Sequence, residues 1–402
     1  MEHRADPEGL GFSREGLRQI EARLRAHVDA GRLPGLRFLL TREGQTVQSL
    51  SLGQRDREAR SPMAEDTLFR IYSMSKAITA AAVMTLVDQG RLALEDPISR
   101  YLPEFAGCRV WQDPECRPAV ITMQHLLTHT AGLTYGFLHA HPVDAMYRAA
   151  GCDWGTPPGM DLKAAASLWA RMPLLFYPGS AWNYSVSFDV LGRIVEVVSG
   201  MDFPAYLERH LFAPLGIEHT GFHVNRGAAQ RLAALYTVPV GGGEPVRDGA
   251  LGSYVLHAPE CPSGGGGLVS TAVDYTRFLQ MLLAGGEGNG TRILQKESVR
   301  AMTSNQLPAG TGLIGFGIPM SDHTDFRGRG YGFGGYVVTD PEATGAPANA
   351  GEFSGDGAAS TFFWMDPATG ITAVFLAQVL PSSFLPLRSD LRKWVRGALV
   401  NP

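Results

Sequence analysis

The sequence predicts an α+β fold: an antiparallel sheet assembled from both ends of the chain and flanked by helices, plus a mainly helical domain. Three observations lead there. Strand-like segments rich in β-branched and aromatic residues occur at 36–52 and return at 330–380. Helical segments broken by Gly- and Pro-rich loops fill most of the interval between them. Residues 77–87, Ala-Ile-Thr-Ala-Ala-Ala-Val-Met-Thr-Leu-Val, are apolar almost all round, which marks a buried helix. The expected division is 1–104 with 300–402 as a discontinuous α/β domain and 105–299 as the helical domain, with an active site in the cleft between them.

Residues 13–30 read as an amphipathic helix with Leu17, Ile20, Leu24 and Val28 on one side, ended by Gly31. Leu36–Leu40 and Thr46–Leu52 read as a strand pair turning at Glu43-Gly44. The apolar helix stops at Gly90, and a loop carrying Asp96-Pro97 leads to a short helix into Tyr101. A helix with its exit is expected within Thr122–Leu133, and helices at Phe188–Val198, Phe203–Phe212 and Ala272–Ala284. Gly330–Val338, Ser360–Met365 and Ile371–Leu380 read as strands, the last two joined by a turn at Asp366–Gly370. Leu385–Val400 closes as an amphipathic helix.

Composition narrows the function. With 402 residues, 45% hydrophobic and 18% charged, the chain is globular rather than disordered. A net charge of −4 gives no basic field for nucleic acid. No apolar stretch reaches membrane-spanning length, and Met1-Glu-His-Arg-Ala-Asp-Pro7 lacks the apolar core of a signal peptide, so a cytoplasmic protein is expected. Four cysteines without a Cys-x-x-Cys suit free thiols; Cys108 and Cys116 are the one pair close enough in sequence to bridge a loop. His125 and His129 are four apart, the spacing of a two-histidine metal site, but no Glu follows His125, so local hydrogen bonding is the expected role and no metal or cofactor is called for.

The chemistry centres on Ser73 and Lys76. A Ser-x-x-Lys pair at a helix start puts hydroxyl and amine on one face, a turn apart. An apolar wall lowers a lysine's pKa, and a neutral amine can take a serine's proton. A lysine entering a buried helix needs a reason. Tyr184, at a helix entrance, is a second candidate base if nearby cations depress its pKa, although these residues alone favour a packed core tyrosine. Ser263-Gly-Gly-Gly-Gly-Leu268 lacks the Lys-Ser/Thr of a phosphate loop and points to close backbone packing near a cleft. The small residues of Phe353-Ser-Gly-Asp-Gly-Ala-Ala-Ser360 precede a hydrophobic strand, where a substrate could meet backbone N–H groups.

Taken in order, these segments resemble the serine β-lactamase and penicillin-binding-protein family, and most of all the class C β-lactamase-like esterases called family VIII carboxylesterases. The resemblance rests on Ser73-Met-Ser-Lys76, Leu126-Leu-Thr-His-Thr-Ala-Gly-Leu133, Tyr184-Ser-Val-Ser-Phe-Asp-Val-Leu-Gly192, Gly264–Thr271 and Ala358–Pro367. It implies the serine β-lactamase/transpeptidase-like fold, with Ser73 as nucleophile, Lys76 as its partner and Tyr184 as base. The family's third motif falls on Gly355-Asp356-Gly357, and the N–H groups of Ser73 and Ala358 would form the oxyanion hole.

Two departures bear on substrate. Position 186 is Val where β-lactamases carry an Asn that grips a side-chain amide, and position 355 is Gly where they carry a Lys that meets a carboxylate. Asp356 adds negative charge beside the second position. Val186, Gly355, Asp356 and Gly357 are therefore the expected substrate-contacting positions, and a small neutral ester the expected substrate. The alternatives are a β-lactamase, a D-amino-acid peptidase or an acyltransferase on the same scaffold, and, from another class, a ligand-binding pseudo-enzyme. Sequence leaves a homo-oligomer open.

Overall fold

The computed structural model describes residues 6–115, 117–154, 157–320 and 325–400. Ser13 opens the first helix, α1 (Arg14–Asp29), by accepting a hydrogen bond from the Gly16 N–H, and Leu17, Ile20 and Leu24 form its buried side. The strands β1 (Gly35–Arg42) and β2 (Gln45–Asp56) follow. Their turn puts Glu43 and Gly44 in the left-handed region, with φ of 51° and 76°, as a tight hairpin requires. After β3 (Ser61–Pro62), a short 3₁₀ turn (Tyr72–Met74) leads into α2 (Ser75–Asp88). Further on come α3 (Ser187–Ser199) and α4 (Ala272–Leu283). Five strands then appear: β4 (Arg329–Tyr331), β5 (Tyr336–Val338), β6 (Phe353–Gly357), β7 (Thr361–Asp366) and β8 (Ile371–Leu376), before α5 (Leu387–Ala398).

These strands form one eight-stranded antiparallel sheet in the order β4-β5-β6-β7-β8-β1-β2-β3. The two chain ends meet where β1 pairs with β8, from Arg37 opposite Leu376 to Arg42 opposite Ile371. Alternation along the strands sends Phe38, Phe362, Trp364 and Phe375 to one face, where α1 and α5 cover them. Phe353, Phe363, Met365 and Val374 face the other way, onto the core that includes α2 and α4. Helix α2 is buried from Ser75 to Leu86, so its lack of a polar face is what its position demands. Near the termini, Phe12 bridges Leu399, and the Ser13 N–H donates to the Ala398 carbonyl at 2.8 Å.

Several expectations are corrected. The single strand expected at Gly330–Val338 is the hairpin β4–β5, because Gly332, Gly334 and Gly335 turn the chain; Gly334 has φ of 82°, and a Cβ there would lie 2.6 Å from the Lys76 carbonyl oxygen. Within Thr122–Leu133, where a helix and its exit are expected, the helix is the short Met123–Leu127. It ends where His129 takes φ of 57° and turns its ring into the core. The helix expected at Phe203–Phe212 is α-helical only to Leu207 and then widens into a π-turn. Beyond Leu376 the chain leaves the large sheet, and Val379–Leu380 pairs in parallel with Tyr236–Thr237. Conversely, the small residues at 353–357 are themselves a sheet strand rather than a turn.

Phe375 is fully buried and stacks on Phe362, with ring centres 4.8 Å apart. Phe375→Ala is expected to lower the unfolding free energy by about 3–5 kcal/mol, because it leaves a cavity between sheet and helices. Urea unfolding followed by circular dichroism measures this. Because the ring is on the face away from α2, reaction of Ser73 with a serine-directed fluorophosphonate should remain near wild-type in the variant's folded fraction.

Candidate active site

Ser73 sits in the 3₁₀ turn that introduces α2, and it is partly exposed while Lys76 below it is 2% exposed. The Lys76 Nζ donates to Ser73 Oγ at 3.3 Å and to the Gly265 carbonyl at 2.5 Å. It lies 4.4 Å from the centre of the Tyr184 ring and 5.6 Å from that of Tyr135. Burial is the main influence on this amine and brings its pKa down to about 7, while the negative charges of Asp189 and Asp356 act against the drop. An amine with that pKa is substantially neutral at physiological pH and can accept the hydroxyl proton of Ser73.

Tyr72, just before Ser73, has φ of 46°, a region that side-chain-bearing residues rarely adopt. Its hydroxyl is hydrogen-bonded to Tyr254. The end of β6 packs on this turn: a Cβ on Gly357 would lie 2.4 Å from the Ile71 carbonyl oxygen and 2.3 Å from Thr361 Oγ1. Only glycine allows that approach, which brings Ala358, in the turn after β6, close to the Ser73 turn. Ser75, two residues beyond Ser73, faces elsewhere: its hydroxyl donates to the Tyr72 carbonyl at 2.6 Å and accepts from the Leu268 N–H at 3.2 Å.

Tyr184 comes from the segment just ahead of α3. Asn183 fixes that segment, its N–H donating to the His129 carbonyl at 2.9 Å and its side chain to the Leu133 carbonyl at 3.0 Å. The rings of His129, Trp182 and Tyr184 are in mutual contact, and Tyr331 touches the first two. Burial pushes the Tyr184 hydroxyl well above the usual tyrosine range, and its hydrogen bond with Ser73 acts in the opposite direction. At rest, burial outweighs that hydrogen bond and favours the neutral phenol. His129 is held neutral by burial first and by Lys76 second. His125 and His129 bond locally, His125 Nδ1 accepting from the Thr122 N–H at 3.1 Å and His129 Nδ1 meeting Ser185 Oγ at 3.1 Å.

Of the expected substrate positions, Val186 is corrected outright. It is fully buried in the main core and presents no surface to a ligand. Gly355 lies over the Phe363 ring, where a Cβ would come within 2.7 Å of a ring carbon. Asp356 points to the opposite face from its neighbours Gly355 and Gly357 and forms an ion pair with Arg388, which also donates to Ser382 Oγ at 2.6 Å. Its charge is therefore compensated rather than free to repel an anion. Among the thiols, Cys108, Cys152 and Cys261 are free and buried, and Cys116 lies outside the described residues.

Sequence reasoning missed Asp189. This carboxylate is fully buried in α3, and its Oδ1 accepts from Ser263 Oγ at 2.5 Å and from the Gly265 N–H at 3.2 Å. Its Oδ2 accepts from the Tyr135 hydroxyl at 3.4 Å. Asp189 thereby anchors the glycine loop whose Gly265 carbonyl accepts from Lys76. The loop must be glycine-rich here, since a Cβ on Gly265 would fall 2.7 Å from both Asp189 Oδ2 and the Tyr135 hydroxyl. The available signal was an acidic residue set among Phe188, Val190 and Leu191.

A Ser-x-x-Lys beneath a tyrosine, beside the end of an antiparallel sheet strand, defines the serine β-lactamase-like class of protein. The chain belongs to the β-lactamase family, whose model matches residues 20–393. It is 37% identical over 372 residues to protein Rv1367c of Mycobacterium tuberculosis, covering 90% of each chain. It is 34% identical over 382 residues to esterase EstB of Burkholderia gladioli, covering 89% of this chain and 90% of that one. Among solved structures, EstCE1, described as a hydrolase with promiscuous acyltransferase activity, superimposes with a TM-score of 0.81 at 30% identity, covering 96% of this chain and 99% of its own. Among the described residues, no helix is long and apolar enough to cross a membrane.

The rate of Ser73 labelling by a fluorophosphonate should follow deprotonation of Lys76, rising with pH through about 7. Asp189 raises that pKa, so Asp189→Asn removes an influence that favours the charged amine and should move the rise to lower pH. An unchanged midpoint in Asp189→Asn would show that the carboxylate does not act on Lys76 electrostatically.

Proposed function

We propose that this chain is a serine carboxylic ester hydrolase of the family VIII type that acts on short-chain neutral esters. The observation that carries the reading is the Lys76 amine, buried, poised near neutrality and hydrogen-bonded to a partly exposed Ser73. Ser73 Oγ attacks the ester carbonyl carbon as its proton passes to Lys76. The Ser73 and Ala358 N–H groups receive the oxyanion. As the intermediate collapses, the C–O bond to the alcohol breaks and the departing oxygen takes a proton, from Lys76 directly or by way of the Tyr184 hydroxyl. Water then repeats the sequence on the acyl-enzyme, releasing the acid and restoring Ser73. Tyr184 serves here as a neutral donor and relay.

Two features support neutral over anionic substrates. Position 355 offers no ammonium, and the nearest carboxylate and guanidinium, Asp356 and Arg388, are paired with each other. The names of EstB and EstCE1 favour ester chemistry, and that of EstCE1 supports a second reading in which an alcohol replaces water as the acyl acceptor. The free thiols of Cys108, Cys152 and Cys261 agree with a cytoplasmic setting.

Ser73→Ala should abolish hydrolysis of p-nitrophenyl butyrate, by several orders of magnitude in kcat, with the circular dichroism spectrum preserved. Lys76→Ala and Tyr184→Phe should each remove most of the rate, and the double variant should be little worse than either, as for groups acting as one unit. Multiplicative losses would assign one of them a purely structural part. On a single preparation, kcat/KM for p-nitrophenyl butyrate should exceed that for the chromogenic cephalosporin nitrocefin. The reverse order would make the chain a β-lactamase.

A further inference from the structure

His129 grips three consecutive residues of the segment that carries Tyr184. Its carbonyl accepts from the Asn183 N–H at 2.9 Å. Its ring lies against the Tyr184 ring, with centres 4.8 Å apart. Its Nδ1 meets Ser185 Oγ at 3.1 Å, and that hydroxyl meets Ser187 Oγ, in the first residue of α3, at 2.7 Å. The same ring packs against Trp182 at 5.8 Å and Phe188 at 5.1 Å, so the contacts extend to both sides of Tyr184. They require a φ of 57° at His129, which is fully buried. A side-chain-bearing residue keeps such a backbone only where its surroundings over-determine it, and residues of this kind cluster at active sites. His129 Nε2 is buried without a hydrogen-bond partner among the described residues. Burial keeps the imidazole neutral, and Lys76 acts in the same sense. The ring thus works through contact rather than through proton transfer.

We infer that His129 is the positioning residue for Tyr184: it sets the phenol where its hydroxyl meets Ser73 above the Lys76 amine. This rests on the ester hydrolase reading, in which Tyr184 passes a proton to the departing oxygen. Lys76 and Tyr135 border the Tyr184 ring on other sides, 4.4 Å and 5.4 Å from its centre. Among the described residues, neither is hydrogen-bonded to Asn183 or Ser185, so neither fixes the chain that carries the ring. A histidine suits this place because one side chain must do two things. Its flat ring fills the space between Trp182, Tyr184 and Phe188, and its nitrogen reaches Ser185. A phenylalanine would do only the first. Proton transfer makes the arrangement matter, since displacing a reacting group by about 1 Å can cost about a hundredfold in rate.

The test removes the ring and then returns it. His129→Gly suits the left-handed backbone and leaves a cavity bounded by aromatic rings, a kind that takes up small ring molecules. With p-nitrophenyl butyrate, kcat should fall about ten- to a hundredfold while KM stays within about twofold. Added imidazole should recover most of that loss in His129→Gly and none of the loss in Tyr184→Phe. Rates are corrected for imidazole's own esterolysis with Ser73→Ala protein as the blank. In a Tyr184→Phe background, His129→Gly should lower kcat less than about threefold further, because the hydroxyl it positions is gone. His129→Asn also accepts the left-handed backbone, should lose kcat in the same way, and serves if the glycine variant does not fold. Equal losses with and without the Tyr184 hydroxyl, or a rise in KM at unchanged kcat, would overturn the assignment. A readout without substrate separates it from the hydrolase reading. Crystal structures of the wild type and His129→Asn should differ by about 1 Å or more in the separation of the Tyr184 hydroxyl from Ser73 Oγ. If the wild type cleaves no ester but this displacement is found, the positioning role stands and the hydrolase reading falls. If esters are cleaved and Tyr184 keeps its place in His129→Asn, the positioning role falls alone.

Discussion

A primary amine kept out of water is the constraint around which the site is arranged. Burying an ammonium is costly, and a protein meets that cost by neutralising the group or surrounding it with acceptors. Here both occur. The Lys76 pKa falls to about 7 through burial, and the Gly265 carbonyl and Ser73 hydroxyl take its hydrogen bonds. The Gly265 carbonyl can be there only because the glycine loop passes within Cβ distance of Asp189 and Tyr135. Asp189 in turn is tolerated in the core because Ser263, the Gly265 N–H and Tyr135 satisfy it. The apolar helix, the glycine loop and the buried acid are therefore parts of one arrangement. Relaxing any of them would let water reach the amine and return it to the charged state, in which it is no base.

The rest of the site is notable for how little free charge it carries. Burial holds the hydroxyls of Tyr135, Tyr184, Tyr331 and Tyr336 in their neutral form. Asp356 is paired with Arg388 on the sheet face that bears α5. Such a site has polar groups that could orient an ester, and the carboxylate of its third motif is paired rather than free. It also sets a division of labour. Under the proposed mechanism, with burial favouring the neutral Tyr184 phenol, the amine is the group suited to receive the first proton and the phenol to donate one to a departing oxygen.

Much of the fold was legible because its signals are local. The hairpin at Glu43-Gly44, the Leu17, Ile20 and Leu24 stripe of α1 and the all-apolar α2 each carry their own pattern in sequence. The failures came where tertiary contacts decide. Where within 122–133 the helix gives way to its exit is not marked in the sequence; it is set by the His129 ring, which packs among Trp182, Tyr184, Phe188 and Tyr331. The β4–β5 turn is hidden within a run whose composition is strand-like throughout. In the site, Ser73 and Lys76 are adjacent in the chain and were visible. Asp189 and Tyr135 are linked to them only through folding. Val186 failed for a related reason: aligned motifs report a position in the chain, not whether its side chain reaches a cleft or a core.

The position of Gly355 shows how one small residue can join stability to selectivity. In the sheet it pairs with Phe363, and the Phe363 ring fills the space that a side chain at 355 would enter. That ring is also core, packed against Tyr275 and Phe353. A lysine introduced at 355 would have to displace the ring before its ammonium could extend toward a substrate. Moving a buried phenylalanine aside costs on the order of 1–3 kcal/mol through overpacking alone. The space a side chain at 355 would need is occupied by the hydrophobic contact between sheet and helices, two residues along the same strand from the contact of Gly357 with the turn before α2. On the proposed hydrolase reading, a strand so committed to packing can still supply backbone N–H groups to an oxyanion, while position 355 has no side chain to spare for a carboxylate.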